Sequence, residues 1–410
     1  MRVVAEAELG RVLGNVAGVP RVVASGNHAA PLAALRVLDG ALAEYRLFML
    51  NAQSGIPDRD GVAYETAFVG PAMRAHPRLA YFPCRLSLVP YLLRDRLQPD
   101  IVVVHTSRPF DGAVSLGVEV NILPAAIEAA RARGGLVIAQ ANAAMPATYG
   151  DAVVGLDAID YLIEVDEPLA EHRPTAIDAV CAGIGERVAG LIPQRATLQL
   201  GIGAIPDATL HALADRRGLR IWSEMFSDGV LALEKGGCLD VDTPVTASFC
   251  FGSAELYDWI DRNPRIRMLR TERTNDPRAI AAHPTLMSVN SALQVDLFAQ
   301  ANASRVGTRV HSGFGGQTDF IVGAMHSPGG HAIIALRSWH PKANVSSVVP
   351  LLSGPVTSFQ HSYIVTEQGV AEIWGRDALG QAQQILDRAA HPAARDGLRE
   401  AGRGLGLALR

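Results

Sequence analysis

Along most of the chain, short and almost uninterrupted apolar runs alternate with longer stretches in which apolar positions recur every three or four residues. The first kind of run reads as a buried strand and the second as a helix. Arg21–Ser25 is a strand-like run, followed by a Gly26-Asn27 turn, a helical pattern over Pro31–Leu42 and another strand at Arg46–Leu50. Ile101–His105 and Leu136–Gln140 have the apolar character that buried parallel strands require. Between them lie the Pro/Gly-punctuated loop Ser107–Gly112 and a helix over Pro124–Arg133. A further helix over Thr175–Leu191 ends at Ile192-Pro193-Gln194, a linker-like composition.

The alternation then restarts. Ala196–Leu200 predicts a strand, Gly201-Ile202-Gly203 a turn, and Asp207–Arg216 a helix with Pro206 suited to its first turn. Leu219–Trp222 is the next strand, and Glu224 stands just beyond its carboxyl end, ahead of the Asp228-Gly229 turn and a helix-like run. Later come a helix at Ser253–Asp261, strands at Leu286–Val289 and Leu293–Leu297, and the loop Ser312–Gln317. A helix from Thr318 to about Met325 and a strand at His331–Leu336 follow it. The whole pattern predicts an α/β protein with mainly parallel sheets, divided into residues 1–192 and 193–410. Length agrees, because one hydrophobic core seldom grows beyond roughly 250–300 residues and this chain has 410.

Composition narrows the function more than the fold. With 49% hydrophobic and 19% charged residues and a net charge of −4, nothing favours nucleic acid or an anionic membrane surface as partner. Lys235 and Lys342 are the only lysines, all other basic side chains being arginine or histidine. Cys84, Cys181, Cys238 and Cys250 lack the two-residue spacing of a zinc or redox site and read as reduced core residues. No secretory signal pattern opens the chain and no apolar stretch reaches membrane-spanning length, so the expected location is the cytoplasm.

Candidate chemistry gathers at three places. In open α/β sheets ligands bind beyond the carboxyl ends of the strands, which is where Glu224 falls, although a lone carboxylate there is usually a helix cap or a satisfied turn residue. Gly201-Ile202-Gly203 and Gly313-Phe314-Gly315-Gly316 both lie between strand-like and helix-like runs, where backbone amides can hold an anion; simple turn geometry explains either one alone. Neither completes a dinucleotide fingerprint, since Pro206 stands where the third glycine would be, and no phosphate-binding G-x-x-x-x-G-K or serine-hydrolase G-x-S-x-G motif occurs. His311, His326, His331, His340 and His361 lack the i, i+4 pairing of a helical metal site. Val365-Thr366-Glu367-Gln368-Gly369 places a second carboxylate at a strand end before a glycine turn.

Taken in order, these segments resemble the acetyl-CoA hydrolase/transferase family, the branch of class I CoA-transferases that includes 4-hydroxybutyrate and acetate CoA-transferases. The stretches that carry the resemblance are Leu198–Pro206, Ser223–Val230, Phe251-Gly252-Ser253 with Leu256-Tyr257, and Val289–Ala292. Ser312–Phe320, Val365–Ala371 and Ala390-His391-Pro392 continue it. Ser115-Leu116-Gly117 and Asn142 through Asp151 extend it into the first half. The resemblance implies two similar α/β domains of the CoA-transferase (NagB/RpiA-like) architecture, commonly assembled as a homodimer. It makes Glu224 the catalytic nucleophile toward a short-chain acyl-CoA thioester, working by ping-pong transfer to a small carboxylic acid through a glutamyl-CoA thioester. The amides of Ile202 and Gly316 match the oxyanion-hole positions, Gly203, Gly315 and Gln317 lie along the substrate, and Asn275 and Glu367 match positions that contact CoA. No metal, flavin or nicotinamide is implied, since coenzyme A enters as part of the substrate. Because Glu224 must be ionised to attack, a polar and hydrogen-bonded site is expected rather than an apolar one.

Four departures bear on substrate binding. Arg108 interrupts a loop that is Ser-Pro-Pro-Asp in the family, Gln294 replaces a glutamate, Arg337-Ser338-Trp339 replaces a Pro-Ser-Thr type stretch, and Trp374 takes the place of an arginine. Hydrolysis of acyl-CoA would use the same glutamate with water as acceptor, and a CoA-binding protein without turnover would keep the same fold. Both readings stay open beside transfer, while a sugar-phosphate isomerase-like role rests on architecture alone.

Overall fold

A computed structural model of the chain describes residues 1–410 except 173–175, 357 and 359. The polypeptide forms two compact units that interleave along the sequence. The first comprises Met1–Arg173, Pro244–Thr274 and Val310–Gly315; the second comprises Pro174–Thr243, Asn275–Arg309 and Gly316–Arg410. Residues 192 and 193 therefore both fall inside the second unit. Ile192 is only 1% exposed there and closes the helix Ala179–Leu191, its amide bonding back to the Ala189 carbonyl. The expected start of that helix at Thr175 lies outside the described residues.

The first unit is built on an eight-stranded sheet in the spatial order Arg2–Val3, Tyr161–Val165, Leu136–Asn142, Ile101–Thr106, Arg21–Ala24, Tyr45–Phe48, Val62–Thr66, Leu79–Tyr81. Its pairings are parallel. Every residue of Ile101–Thr106 is buried, as its apolar run predicted. Leu35, Tyr45, Leu47, Tyr64 and Ile101 meet in the core, each such burial contributing roughly 1.5–3 kcal/mol before entropy is counted. Val62–Thr66 escapes a simple apolar pattern because Glu65 is buried in it. Its carboxylate takes two bonds from the Arg21 guanidinium, at 2.7 and 3.2 Å, so the charge is paired rather than stranded.

The second unit has a six-stranded sheet in the order Arg220–Ile221, Thr197–Leu200, Leu286–Ser291, His331–Ala335, Tyr363–Thr366, Gly369–Glu372. The first five strands run parallel, and the last folds back antiparallel as a hairpin. The helix expected over Asp207–Arg216 instead spans Ala204–Ala212. Gly203, at φ 111°, turns the chain straight out of the strand, and Pro206 then sits where the first turn needs no amide donor. This helix lies close against Ala179–Leu191: a Cβ on Gly185 would come within 2.8 Å of the Ala208 Cβ. Among the described residues no helix is long and apolar enough to cross a membrane.

Candidate active site

Glu224 is placed by the outer strand of the second unit. Arg220–Ile221 pairs with Thr197–Leu200, the Trp222 amide still bonds to the Leu198 carbonyl at 3.1 Å, and the Ser223 hydroxyl bonds to the Leu200 carbonyl at 3.2 Å. Trp222 also packs on the His283 ring, with centroids 4.2 Å apart. The chain is thus held until the residue before Glu224, which emerges at the carboxyl edge of the sheet. The helix Asp228–Lys235 begins four residues later.

Two groups distant in sequence close on that carboxylate. Asn275 Nδ2 donates to Glu224 Oε2 at 2.8 Å, and the Gly316 backbone N–H donates to the same carboxylate. Gly316 is the N-cap of the helix Gln317–His326, so Glu224 faces a helix N-terminus, where the dipole favours negative charge. Only glycine fits: a Cβ at 316 would overlap both the carboxylate and the Asn275 amide. Asp319, fully buried in the first turn of the same helix, adds a like charge nearby.

The balance of these effects differs from the sequence expectation. The site is polar and hydrogen-bonded, as expected, yet burial outweighs the donors. Loss of solvent pushes the Glu224 carboxyl up, the Asn275 bond pulls it down, Asp319 pushes it up again and the Gly316 amide pulls it down, leaving it at about 7. The carboxyl of the nucleophile candidate is therefore held well above the ordinary carboxylate range, with desolvation as the main cause.

The other expected residues are distributed as follows. Ile202, 42% exposed, and Gly203 line a groove of about 260 Å³ with Pro206, Ala292, Arg337 and His340. Gln317 opens the helix behind Gly316, and its side chain reaches the Ser291 carbonyl at 3.4 Å. Gly315 belongs to the first unit, where its carbonyl accepts from the Leu86 amide at 3.0 Å. Glu367 follows the strand Tyr363–Thr366 and is taken up by Ser338: the amide donates to Oε2 at 2.9 Å and the hydroxyl to Oε1. Burial pushes Glu367 up, but the Ser338 bonds and the Gln368 amide outweigh it and hold it below the usual carboxylate range. Glu224, Asn275 and Gly316 are thus brought together, while Glu367 keeps other partners.

Three features were not assigned a role from sequence. Asp319 was visible only as part of a motif. Arg337, noted as a departure, bonds Asp178 Oδ2 at 2.6 Å and approaches the Cys181 sulfur at 3.2 Å on the wall of the groove. Ser288 and Asn290 both donate to Gln199 Oε1, at 2.6 and 3.2 Å, tying the strands that carry the groove's glycine turn and Ser291. Polar residues inside otherwise apolar strands were the available signal for that network.

Solved structures with the same architecture define the class first. RipA from Yersinia pestis superposes with a TM-score of 0.92 at 27% identity, covering 99% of this chain and 98% of its own. The 4-hydroxybutyrate CoA-transferase from Porphyromonas gingivalis superposes with a TM-score of 0.83 at 31% identity, covering 98% of each chain. The fold is that of CoA-transferases. Residues 64–171 match the acetyl-CoA hydrolase/transferase N-terminal domain and residues 252–402 the C-terminal domain. The 4-hydroxybutyrate coenzyme A transferase of Clostridium kluyveri is 39% identical over 333 residues, 78% of this chain and 76% of that protein. The chain belongs to the acetyl-CoA hydrolase/transferase family of enzymes.

Proposed function

We propose that this protein is an acyl-CoA:carboxylate CoA-transferase for short acyl groups, with Glu224 as its covalent nucleophile. The observation that carries the reading is the Glu224 carboxylate held between the Asn275 amide and the Gly316 N–H at a helix N-terminus. In the proposed sequence the ionised carboxylate attacks the thioester carbonyl. Collapse of that tetrahedral adduct expels CoA thiolate and leaves a mixed acyl–glutamyl anhydride. The thiolate then attacks the glutamyl carbonyl, forming the glutamyl-CoA thioester and releasing the first carboxylate. An incoming acid anion runs the same steps in reverse.

The placement of donors suits this order. In the second attack the oxyanion is Glu224's own former carboxylate oxygen, where Asn275 and Gly316 already donate. A donor so placed lowers a barrier by roughly 3–4 kcal/mol. The Ile202 amide is the proposed partner for the first oxyanion, on the substrate. The groove beside Ile202 and Gly203 would take part of the acyl-CoA, with Gly315 and Gln317 beside the acyl group and Glu367 in contact with CoA. Asn275, assigned to CoA on resemblance, serves the nucleophile in this reading. A cytoplasmic homodimer completes the proposal, and sedimentation equilibrium tests its assembly.

Mass spectrometry after incubation with acetyl-CoA or butyryl-CoA, without acceptor acid, tests the chemistry. A CoA-sized adduct on the Glu224 peptide, discharged by added carboxylate, is expected. Steady CoA release that needs no acceptor would replace transfer by hydrolysis, and binding without adduct or turnover would leave a CoA-binding protein. Similarity to CoA-transferases over most of both chains favours transfer.

A further inference from the structure

One wall of the groove at Ile202 is a short hairpin, in which Trp339–His340 pairs antiparallel with Val345–Ser346. Arg337, His340 and Ser347, on and beside its two strands, line the groove. Residues 340–345 are all exposed, so the hydrophobic core does not hold them. Local bonds give the hairpin its shape: the Asn344 amide donates to the His340 carbonyl at 2.8 Å, the Ala343 amide to His340 Nδ1 at 3.0 Å and the Trp339 indole to Asn344 Oδ1 at 3.0 Å. Where the hairpin stands is decided at its ends. The far end runs into Val348–Val349, which pairs in parallel with Val295 and Asp296, and at the near end Trp339 rests on the His391 ring with centroids 4.8 Å apart.

The near end is also where Ser338 stands, fully buried and with every polar group in use. Its carbonyl accepts from the Ser347 amide at 2.9 Å, closing the base of the hairpin. Its amide donates to Glu367 Oε2 at 2.9 Å and its hydroxyl to Glu367 Oε1. Gln368 Nε2 adds a third bond to that carboxylate at 3.3 Å. A turn or cap carboxylate would bond its own neighbours, whereas Glu367 grips a residue 29 positions away in the chain. Bonds to an ionised acceptor are stronger than neutral ones, and both of those from Ser338 fall on one carboxylate. Arg337, the residue before, donates to Asp178 Oδ2 at 2.6 Å, but these side chains are 30% and 54% exposed and such a pair contributes little. Glu367 is therefore the stronger of the two anchors. A carboxylate offers about four acceptor sites, so three bonds leave room for the proposed contact with CoA.

We propose that Glu367 is a positioning residue of this groove: through Ser338 it sets the stance of the hairpin Trp339–Ser346, and with it the affinity for CoA, over and above its own contact with the ligand. The inference rests on reading the groove as the site of acyl-CoA. Calorimetric titration of the full chain with CoA tests it in wild type, Ser338→Ala, Glu367→Gln and the double variant, with hydrogen exchange read by mass spectrometry on the same four proteins. Ser338→Ala removes a buried oxygen that cannot meet the ligand, yet it should weaken CoA by about tenfold, the scale of one bond to a charged group. The hairpin peptide should exchange faster in either single variant. KM for acyl-CoA should rise more than kcat falls, a split that a general loss of stability would not give. Because both changes break one link, the double variant should bind CoA within about threefold of the weaker single variant. Unchanged CoA affinity in Ser338→Ala, or penalties that multiply in the double variant, overturns the proposal and leaves Glu367 acting by contact alone. Wild type that binds no CoA overturns the reading of the groove and this inference with it. Binding of CoA that depends on Ser338, without an adduct on Glu224, upholds the positioning role and overturns only the transfer chemistry.

Discussion

Glu224 and Glu367 both stand just past the end of a strand in one six-stranded sheet, and their surroundings drive them in opposite directions. Both accept hydrogen bonds, so bonding alone does not separate them, while Glu224 loses more of its solvent than Glu367. Glu367 gathers the Ser338 amide, the Ser338 hydroxyl and the Gln368 amide around its two oxygens, and these outweigh desolvation. Glu224 has the Asn275 amide and one backbone N–H, and it shares its site with buried Asp319. The lesson is chemical: a carboxylate stabilised as strongly as Glu367 is a poor nucleophile, whereas one raised toward neutrality keeps basicity to use in bond formation while remaining substantially ionised.

The sharpest way to break the comparison is Glu224→Gln. Loss of transfer on the order of 10³–10⁶-fold in kcat, with an unchanged circular dichroism spectrum, is expected if Glu224 is the nucleophile. The same variant carries a stability signature. Because the folded Glu224 value lies above its unfolded one, its contribution is fully present below the ordinary carboxylate range and is lost as pH rises through about 7. Glu224→Gln should therefore be more stable than wild type at pH 8 by about 1–3 kcal/mol, allowing for its partial exposure, and this gain should vanish near pH 4 in urea titrations. Glu367 has the opposite sign: its contribution is present above the ordinary carboxylate range and lost as pH falls through its depressed value.

Gly316→Ala comes next in size. The added Cβ must displace Glu224 or Asn275, and a drop in kcat of about 10²–10³-fold is expected from steady-state assays, the scale of one lost oxyanion donor. Asn275→Ala and Asp319→Asn should then move the acid limb of the kcat/KM profile in opposite directions around pH 7. The first raises it, by removing a bond that favours the charged form, and the second lowers it, by removing a like charge. An unmoved limb in both variants would detach the profile from Glu224. Glu367→Gln is the mildest, raising KM for acyl-CoA by about tenfold or less with kcat nearly kept, as expected of a residue that binds without reacting.

Much of this architecture was legible in the residue pattern. Ile101–Val104 and Leu136–Ala139 are apolar throughout because parallel strands are covered on both faces, and they read as strands without further help. Glu224 could be placed at a sheet edge from the apolar run Leu219–Trp222, although the Asp228-Gly229 pair expected as a turn instead opens the helix Asp228–Lys235. Val62–Thr66 could not be found in that way, since its Glu65 becomes acceptable in a strand only once Arg21, 44 residues away, is paired with it. The early start of Ala204–Ala212 was hidden for a different reason: it depends on the backbone angle at Gly203, which composition does not specify.

What local sequence settled was periodicity, turn chemistry and the order of motifs, all of which are properties of neighbouring residues. The ionisation of Glu224 was beyond its reach. That quantity depends on an amide 51 residues away, on a helix start at Gly316, on Asp319 and on how much water the folded unit excludes. Desolvation and through-space charge act over distances that only folding creates, so the same glutamate in the same motif takes its reactivity from the company the fold brings to it.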